Sequence, residues 1–312
     1  MNCSIIIRAY NEEKHIGRLL EGIRQQTVKD VDLILVDSGS TDGTISIAEA
    51  YGARPVSIPP SEFTFGRSLN LGIQAATREL IVIASAHVYP VYPDWLESLL
   101  RPFEDHTIAL TYGKQRGPAT AHFSEQQIYH RWYPDVSQPY QATAFCNNAN
   151  AGIRKGLWEQ NPYDETLTGL EDLAWAKWAK DQGYYIAYVA EAEIIHVHNE
   201  IPQGVFNRYR REGMAFKMIY PEAHFNLYDF VRLTTMNILS DSWHAARERV
   251  LWKNLKSILW FRFMQFHGTR LGYRESGLLT PQLRETFYYA RERKPNKNAQ
   301  RDIEPIRYNQ RS

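Results

Sequence analysis

Short apolar runs, each ending in a polar cluster, restrict this chain more than any other feature. Cys3-Ser4-Ile5-Ile6-Ile7, Asp32-Leu33-Ile34-Leu35-Val36, Val56-Ser57-Ile58 and Leu80-Ile81-Val82-Ile83-Ala84 have the length and apolarity of strands buried on both faces. Helical spacing fills the intervals: Ile16, Leu19, Leu20 and Ile23 share one face, Ile47 and Ala48 follow the second run, and Phe65-Gly66-Arg67-Ser68-Leu69-Asn70-Leu71-Gly72 opens a third helix. Strand, helix, strand, helix predicts an α/β fold with a mostly parallel, Rossmann-like sheet flanked by helices and joined by right-handed crossovers. Ligands of such sheets sit outside the carboxyl ends of the strands. The polar clusters Arg8-Ala9-Tyr10-Asn11-Glu12-Glu13, Asp37-Ser38-Gly39-Ser40-Thr41-Asp42-Gly43-Thr44 and Ser85-Ala86-His87 all fall there.

Beyond the fourth run the pattern predicts a strand at 109–113 and a long active-site loop over 114–144, where Gly, Pro, His and aromatics show no period. Residues 145–153 read as a strand lined with amides, a helix starts at Glu171-Asp172, and short strands fall at 184–189 and 193–198. From about 202, helical patterns rich in Arg, Tyr, Phe and Trp replace the alternation. This places a domain over 1–200, a C-terminal helical extension over 201–293, and a polar tail over 294–312, with Pro295 and Pro305, that is expected to fray.

A chain of 312 residues, 44% of them hydrophobic, has enough apolar surface for a proper core. A formal net charge of +1 gives no reason to expect a nucleic-acid partner. Cys3 and Cys146 form neither a disulfide framework nor a metal spacing and read as buried thiols. No basic leader with a cleavage site opens the chain, and no run reaches the roughly 18 apolar residues of a spanning helix. The expected place is the cytoplasm, peripheral to the inner face of the cell membrane. In the stretch 250–266, Trp260, Phe261 and Met264 lie near Lys253 and Lys256, a mixture that suits a membrane surface, a homo-oligomer contact, or burial against the first domain.

Candidate chemistry concentrates in a few places. Asp37 at a strand end can accept from a nucleobase or ribose hydroxyl, while Ser38, Ser40 and the glycines let backbone approach a ligand; an ordinary turn with Asp42 capping the helix is the plainer alternative. Adjacent carboxylates point to different faces of a helix, so Glu171 and Asp172 have different jobs, either as caps at a helix start or in acid–base chemistry. Asn147, Asn148 and Asn150 offer donors and acceptors for sugar hydroxyls, or simply make a turn. Trp175, just past Asp172, suits stacking on a ligand, whereas Trp178 reads as core.

In order and spacing, Ile5-Ile6-Ile7-Arg8-Ala9-Tyr10-Asn11-Glu12, Val36-Asp37-Ser38-Gly39-Ser40-Thr41-Asp42-Gly43-Thr44, Asn70-Leu71-Gly72 and Glu171-Asp172 resemble a family 2 glycosyltransferase of the GT-A fold across roughly residues 3–200. The resemblance implies an inverting transfer of a sugar from a UDP- or dTDP-linked donor to a hydroxyl of a saccharide or lipid-linked acceptor, in cell-surface polysaccharide synthesis. It implies that Ala9, Tyr10 and Glu12 line the nucleotide pocket with Ser38 and Ser40, that Asp37 holds the uracil or thymine side, and that Arg67 and Asn70 lie near the ribose or diphosphate. Asp172 is then the base, and Glu171 orients the acceptor or caps the helix, with Trp175, Asn148 and Asn150 beside it.

The chain departs from the family where the fourth strand ends. The family's metal-binding aspartate pair is replaced by Ser85-Ala86-His87. Two readings stay open: His87 with His198 or His196 holds a divalent metal (Mn²⁺ or Mg²⁺, with imidazole favouring Mn²⁺ or Zn²⁺), or histidine and arginine cations meet the diphosphate without one. His196 and His198, two residues apart on a strand, face the same side. The missing pair also keeps alive a non-catalytic carbohydrate-binding or scaffold protein, against which Asp172 argues. A nucleotidyltransferase would need a Gly- and Lys-containing loop where Arg8-Ala9-Tyr10-Asn11 stands.

Overall fold

The computed structural model describes residues 2–198, 201–275, 277 and 279–288. The expected tail over 294–312 lies outside them. The chain runs β1 (Cys3–Ala9), α1 (Ile16–Arg24), β2 (Val31–Asp37), α2 (Thr44–Ala50), β3 (Arg54–Ser57), α3 (Phe65–Ala75), β4 (Leu80–Ser85), β5 (Val88–Pro90), α4 (Trp95–Leu100), β6 (Ile108–Arg116), α5 (Phe123–Trp132), β7 (Asn150–Arg154), α6 (Lys155–Gln160), α7 (Glu171–Asp181) and β8 (Tyr185–His196). Helices α8 (Pro202–Ile219), α9 (Leu227–Arg247), α10 (Leu251–Arg274) and α11 (Pro281–Tyr288) follow.

The strands form one sheet in the order β3-β2-β1-β4-β7-β6-β8-β5. β1, β2, β3 and β4 are parallel, β7 runs against β4 and β6, β8 is parallel to β6, and β5 is antiparallel at the edge. The sheet is therefore mixed, as a GT-A sheet is, with the expected helices on both faces and a helical C-terminal region. Alternation along β1 divides the core: Ile5 and Ile7 pack with Leu19, Leu96 and Leu99 on one face, and Ile6 packs with Leu69, Ile73 and Trp175 on the other. Gly72 lets α3 lie against the sheet, because a Cβ there would meet the side chains of Ile6 and Val36.

Register decides where the polar clusters meet. Ala9 pairs with Asp37 and Arg8 with Ser85, so the ends of β1, β2 and β4 are level. Asn150, which starts β7, pairs with Ala84, and His196, which ends β8, pairs with Val88 just past His87. Clusters far apart in sequence thus arrive along one sheet edge.

Three sequence expectations are corrected. The supposed loop over 114–144 contains the end of β6 and all of α5; its helix buries Ser124 and Glu125 as well as Phe123 and Tyr129, which hid the apolar stripe. Residues 145–149 are not strand: the amides of Asn148 and Ala149 donate to the side chains of Asp172 and Asn147 (both 2.9 Å) instead of to a ladder. The two strands expected over 184–198 are one, β8, whose register shifts opposite Gly113 and Gln115. Cys3 and Cys146 are buried and free, as expected.

In the C-terminal region Phe261 is fully buried and Trp260 lies against His122, 4.9 Å between ring centroids. The large apolar side chains left open in this region include Tyr228, Leu239, Trp243 and Trp252, with Leu259 and Phe263 on α10 about half exposed. No described helix is long and apolar enough to cross a membrane.

Candidate active site

The first wall is built by the ends of β1 and β2. Asp37 is 2% exposed; its Oδ2 accepts from the amides of Gly39 (2.9 Å) and Ser40 (3.0 Å), while Oδ1 is buried with no hydrogen-bond partner among the described residues. A buried carboxylate oxygen left unpaired is a costly acceptor waiting for a donor. The loops around it hold each other: the Asn11 amide donates to Ser40 Oγ (2.9 Å), the Thr41 amide to Asn11 Oδ1 (2.8 Å), and the Glu12 amide to Thr44 Oγ1 (2.7 Å). Asn11 takes a left-handed φ of 54°, which turns Tyr10 and Glu12 out of the strand direction. Asp42 accepts from the Thr44 amide at the start of α2 (3.0 Å), although the cap position itself is taken by Gly43, not by the expected Asp42. Replacing Asp37 with Ala removes the open acceptor, so affinity for UDP or dTDP is expected to fall roughly tenfold or more, the worth of a hydrogen bond to a charged group. Titration calorimetry giving equal affinities for both nucleotides in wild type and variant contradicts this placement.

Arg67 and Asn70 make their contacts elsewhere, with Glu62 and with the segment 158–165. Asn70 Nδ2 donates to Tyr163 O (2.9 Å) and Glu165 Oε1 (3.0 Å), and its Oδ1 accepts from Trp158 Nε1 (2.9 Å) and the Tyr163 amide (3.0 Å). Arg67 pairs with Glu62 (2.7 Å) and Glu165 (3.3 Å). Both side chains hold the loop that leads to α7.

The second wall is the start of α7. Leu170 precedes it in the left-handed region (φ 55°), which aims the first turn at the sheet edge. Asp172 is 7% exposed; Oδ2 accepts from the Asn148 amide (2.9 Å) and Oδ1 from the Leu173 amide (2.8 Å). Burial, and then the charge of Glu171, push its carboxyl up to about 7, into the range where a carboxylate works as a general base. Glu171 Oε1 accepts from Arg8 (3.3 Å) and from Asn148 Nδ2 (3.3 Å), so an ion pair and an amide hold it beside Asp172.

Other expected acceptor residues lie behind this wall. Trp175 is 1% exposed and donates to Asn161 O (2.8 Å), so it is core and cannot stack on a sugar. Asn150 is fully buried, joining Trp95 Nε1 (2.9 Å) and Ala192 O (2.8 Å). Asn148 orients the two carboxylates and receives Tyr163 Oη (3.4 Å).

The third wall joins the turn after β4 to the end of β8. Ser85 is half-buried and Ala86 fully buried, and His87 meets His196 and His198. Ring centroids are 5.0 Å apart for His87 and His196, and 4.0 Å for His196 and His198. Burial holds both His196 and His198 well below the usual imidazole range, so they are neutral donors of a lone pair. Nitrogen donors of this kind fit a first-row divalent cation.

Against Asp172 and His198 opens a cavity of about 440 Å³, walled by α5, residues 145–147, α7, α8 and α10. Tyr129, Trp132, Phe145, Tyr209, Phe216 and Tyr273 give it aromatic sides. Sequence reasoning missed these residues, and also Glu125, Gln115, Arg208 and Arg8. Arg8 had a visible signal, a charge ending an apolar strand; the others come from helices, from β6 (Gln115) and from the stretch 145–149 (Phe145), whose packing the sequence does not show.

A family model described as glycosyl transferase family 2 matches residues 4–160, half of the chain. The chain is similar to the O-antigen chain rhamnosyltransferase RfbN of Salmonella typhimurium, 28% identical over 227 residues, 69% of this chain and 72% of that one. It is similar to the O-antigen chain rhamnosyltransferase WbaN of Salmonella anatum, 28% identical over 223 residues, 68% and 71% of the two chains. Among solved structures it resembles the mannosyltransferase PcManGT of Pyrobaculum calidifontis in complex with GDP-Man and Mn²⁺, with a TM-score of 0.61, 16% identity, and 88% and 87% of the chains covered.

Proposed function

The chain belongs to glycosyl transferase family 2, and from that premise we propose that it moves a sugar from a UDP- or dTDP-linked donor to a hydroxyl of a saccharide or lipid-linked acceptor, with inversion. The observation that carries this reading is Asp172: a buried carboxyl that lines the aromatic cavity and that burial and the Glu171 charge push up to about 7. An acceptor hydroxyl seated in the cavity approaches the anomeric carbon from the Asp172 side. Asp172 takes its proton as the new carbon–oxygen bond forms, and the bond to the diphosphate breaks with its electron pair leaving on the phosphate oxygen. Attack and departure on opposite faces invert the carbon. Glu171, held by Arg8 and Asn148, keeps the base basic.

The departing diphosphate needs positive charge. His87, His196 and His198 would hold a divalent cation, which supplies Lewis-acid stabilisation of the leaving group. Asp37 and the ends of β1 and β2 hold the nucleoside. The Salmonella relatives are rhamnosyltransferases of an O-antigen chain, which favours a deoxyhexose donor and a role in cell-surface polysaccharide synthesis. An acceptor carried on a lipid would bring the enzyme to the cytoplasmic face of the membrane. The open side chains Tyr228, Leu239, Trp243 and Trp252, with Lys253 and Arg247 near them, suit that surface.

A panel of UDP- and dTDP-linked sugars, read first by thermal stabilisation and then by acceptor-dependent release of nucleoside diphosphate, tests the reading. Stabilisation by a dTDP- or UDP-linked deoxyhexose above that given by the bare nucleotide is expected. Indifference to the whole panel would remove the donor assignment.

A further inference from the structure

Three imidazoles converge where the family's aspartate pair is absent. The ligating nitrogens of His87, His196 and His198 lie within 4.8 Å of one another. Each ring is held the same way: Nδ1 is 2.8 Å from Glu12 Oε1 in His87, 2.9 Å from Gln115 Oε1 in His196, and 2.8 Å from Glu125 Oε1 in His198. An oxygen that accepts at Nδ1 makes that nitrogen the protonated one and leaves Nε2 with its lone pair. His196 is 6% exposed, and its Nε2 is buried without a hydrogen-bond partner among the described residues. A buried lone pair without a partner is costly, so the structure holds open a position for something that takes one. Anchoring of Nδ1 on an oxygen with Nε2 turned to a common point is how proteins orient metal-binding histidines. At His198 the same Nδ1 also lies 3.2 Å from Arg208 Nη1 and 3.3 Å from Tyr129 Oη, both able to donate to it; Glu125 Oε1 is the nearest of the three, so the Nε2 lone pair there goes with the tautomer in which Nδ1 donates to Glu125.

We infer that His87, His196 and His198 form a preorganised three-imidazole site that takes a first-row transition cation, Mn²⁺ through Zn²⁺, in the absence of nucleotide and selects against Mg²⁺. Glu12, Gln115 and Glu125 are its positioning residues. Only the use made of the cation rests on the glycosyltransferase reading; its binding does not. Mg²⁺ needs oxygen donors in near-octahedral array, and Ser85-Ala86 supplies no carboxylate. Imidazole suits the later first-row ions. Nitrogens about 2.1 Å from one ion stand roughly 3.3 Å apart, so the rings close inward on binding. A cation held by these three nitrogens would keep coordination positions for further oxygen ligands.

The test uses full-length, metal-stripped protein without nucleotide, titrated with Co²⁺, Mn²⁺ and Mg²⁺ and read by metal content and the visible spectrum of the Co²⁺ form. The expected result is one Co²⁺ per chain with ligand-field bands of imidazole coordination, and Mg²⁺ binding weaker by about 100-fold or more. Gln115→Leu and Glu125→Gln should each weaken Co²⁺ binding about 10–100-fold with the far-UV circular dichroism unchanged. His87 is only half-buried, so His87→Ala keeps the test open if His196→Ala does not fold, and it should abolish the spectrum. An unchanged Co²⁺ spectrum in His87→Ala, or Mg²⁺ bound as tightly as Co²⁺, overturns the proposal. Acceptor-dependent release of nucleoside diphosphate by protein that binds no Co²⁺ overturns the triad alone. A chain that binds Co²⁺ as expected yet transfers nothing from any donor supports the triad and overturns the glycosyltransferase reading.

Discussion

Asp172→Asn is expected to lower sugar transfer by about 10²–10⁴-fold, the span of general-base catalysis, while nucleotide affinity stays nearly intact. The amide keeps the size of the side chain, and its one oxygen can still accept from one of the two backbone amides, Asn148 or Leu173, that hold Asp172 in place. What it loses is basicity. A variant that kept more than about a third of the wild-type rate would mean that another group takes the proton. The pH profile gives the same claim a second readout. Burial and the neighbouring Glu171 charge raise the Asp172 carboxyl to about 7, and the working form is the carboxylate. The wild-type rate should therefore fall as pH drops through about 7 and level off above it. Stability moves the other way: the buried, protonated carboxyl contributes fully at pH below the ordinary aspartate range, and that contribution is lost as pH rises through about 7. Asp172→Asn should flatten this dependence, so its melting temperature relative to wild type should be higher at pH 8 than at pH 5.

The second large effect lies in the helices that wall the cavity. Arg262 and Asp241, 4% and 2% exposed, form a bidentate pair between α10 and α9, with Nε 2.7 Å from Oδ2 and Nη2 2.9 Å from Oδ1. Arg262 also donates to Gln265 Oε1 (2.8 Å) and, across to α5, to Ser124 O (3.3 Å). Asp241→Ala leaves a buried guanidinium without its counter-ion, which costs about 3–5 kcal/mol. In a chain of this size that is a fall in melting temperature on the order of 10 °C. Replacing both partners with apolar side chains, Asp241→Leu with Arg262→Met, should restore most of the loss, because no charge is then left uncompensated. If the single variant melts like wild type, the pair is not buried as described. Because Gln265 lines the cavity and α5 and α10 form its sides, the single variant should also raise KM for the acceptor more than KM for the donor.

The half of the fold built from short-range patterns was legible. Apolar strands of the parallel sheet, the polar clusters at their carboxyl ends and the carboxylates at the start of α7 all carry local signals, and Asp37, Asp172 and His87 were reached from them. Side chains whose meaning depends on what they face were not. Trp175, Asn150 and Asn70 have the right chemistry to bind sugar, but tertiary packing spends it on Asn161, Trp95, Ala192 and the loop through Tyr163. In α5 the reverse happened: Glu125 and Ser124 are buried for their partners His198 and Arg262, so a helix with a buried polar face reads as a loop. The histidine cluster was half visible. His196 and His198 share a strand face, but no local pattern shows Gln115 and Glu125 arriving to orient them.

The account stands most directly on one measurement, the anomeric configuration of the transferred sugar. With a donor of known configuration and an acceptor found in the nucleotide-sugar panel, the one-bond carbon–hydrogen coupling at the new linkage reports whether the anomeric carbon has turned over. A single displacement with Asp172 as base predicts a product of opposite configuration to the donor. A product that keeps the donor's configuration would contradict it.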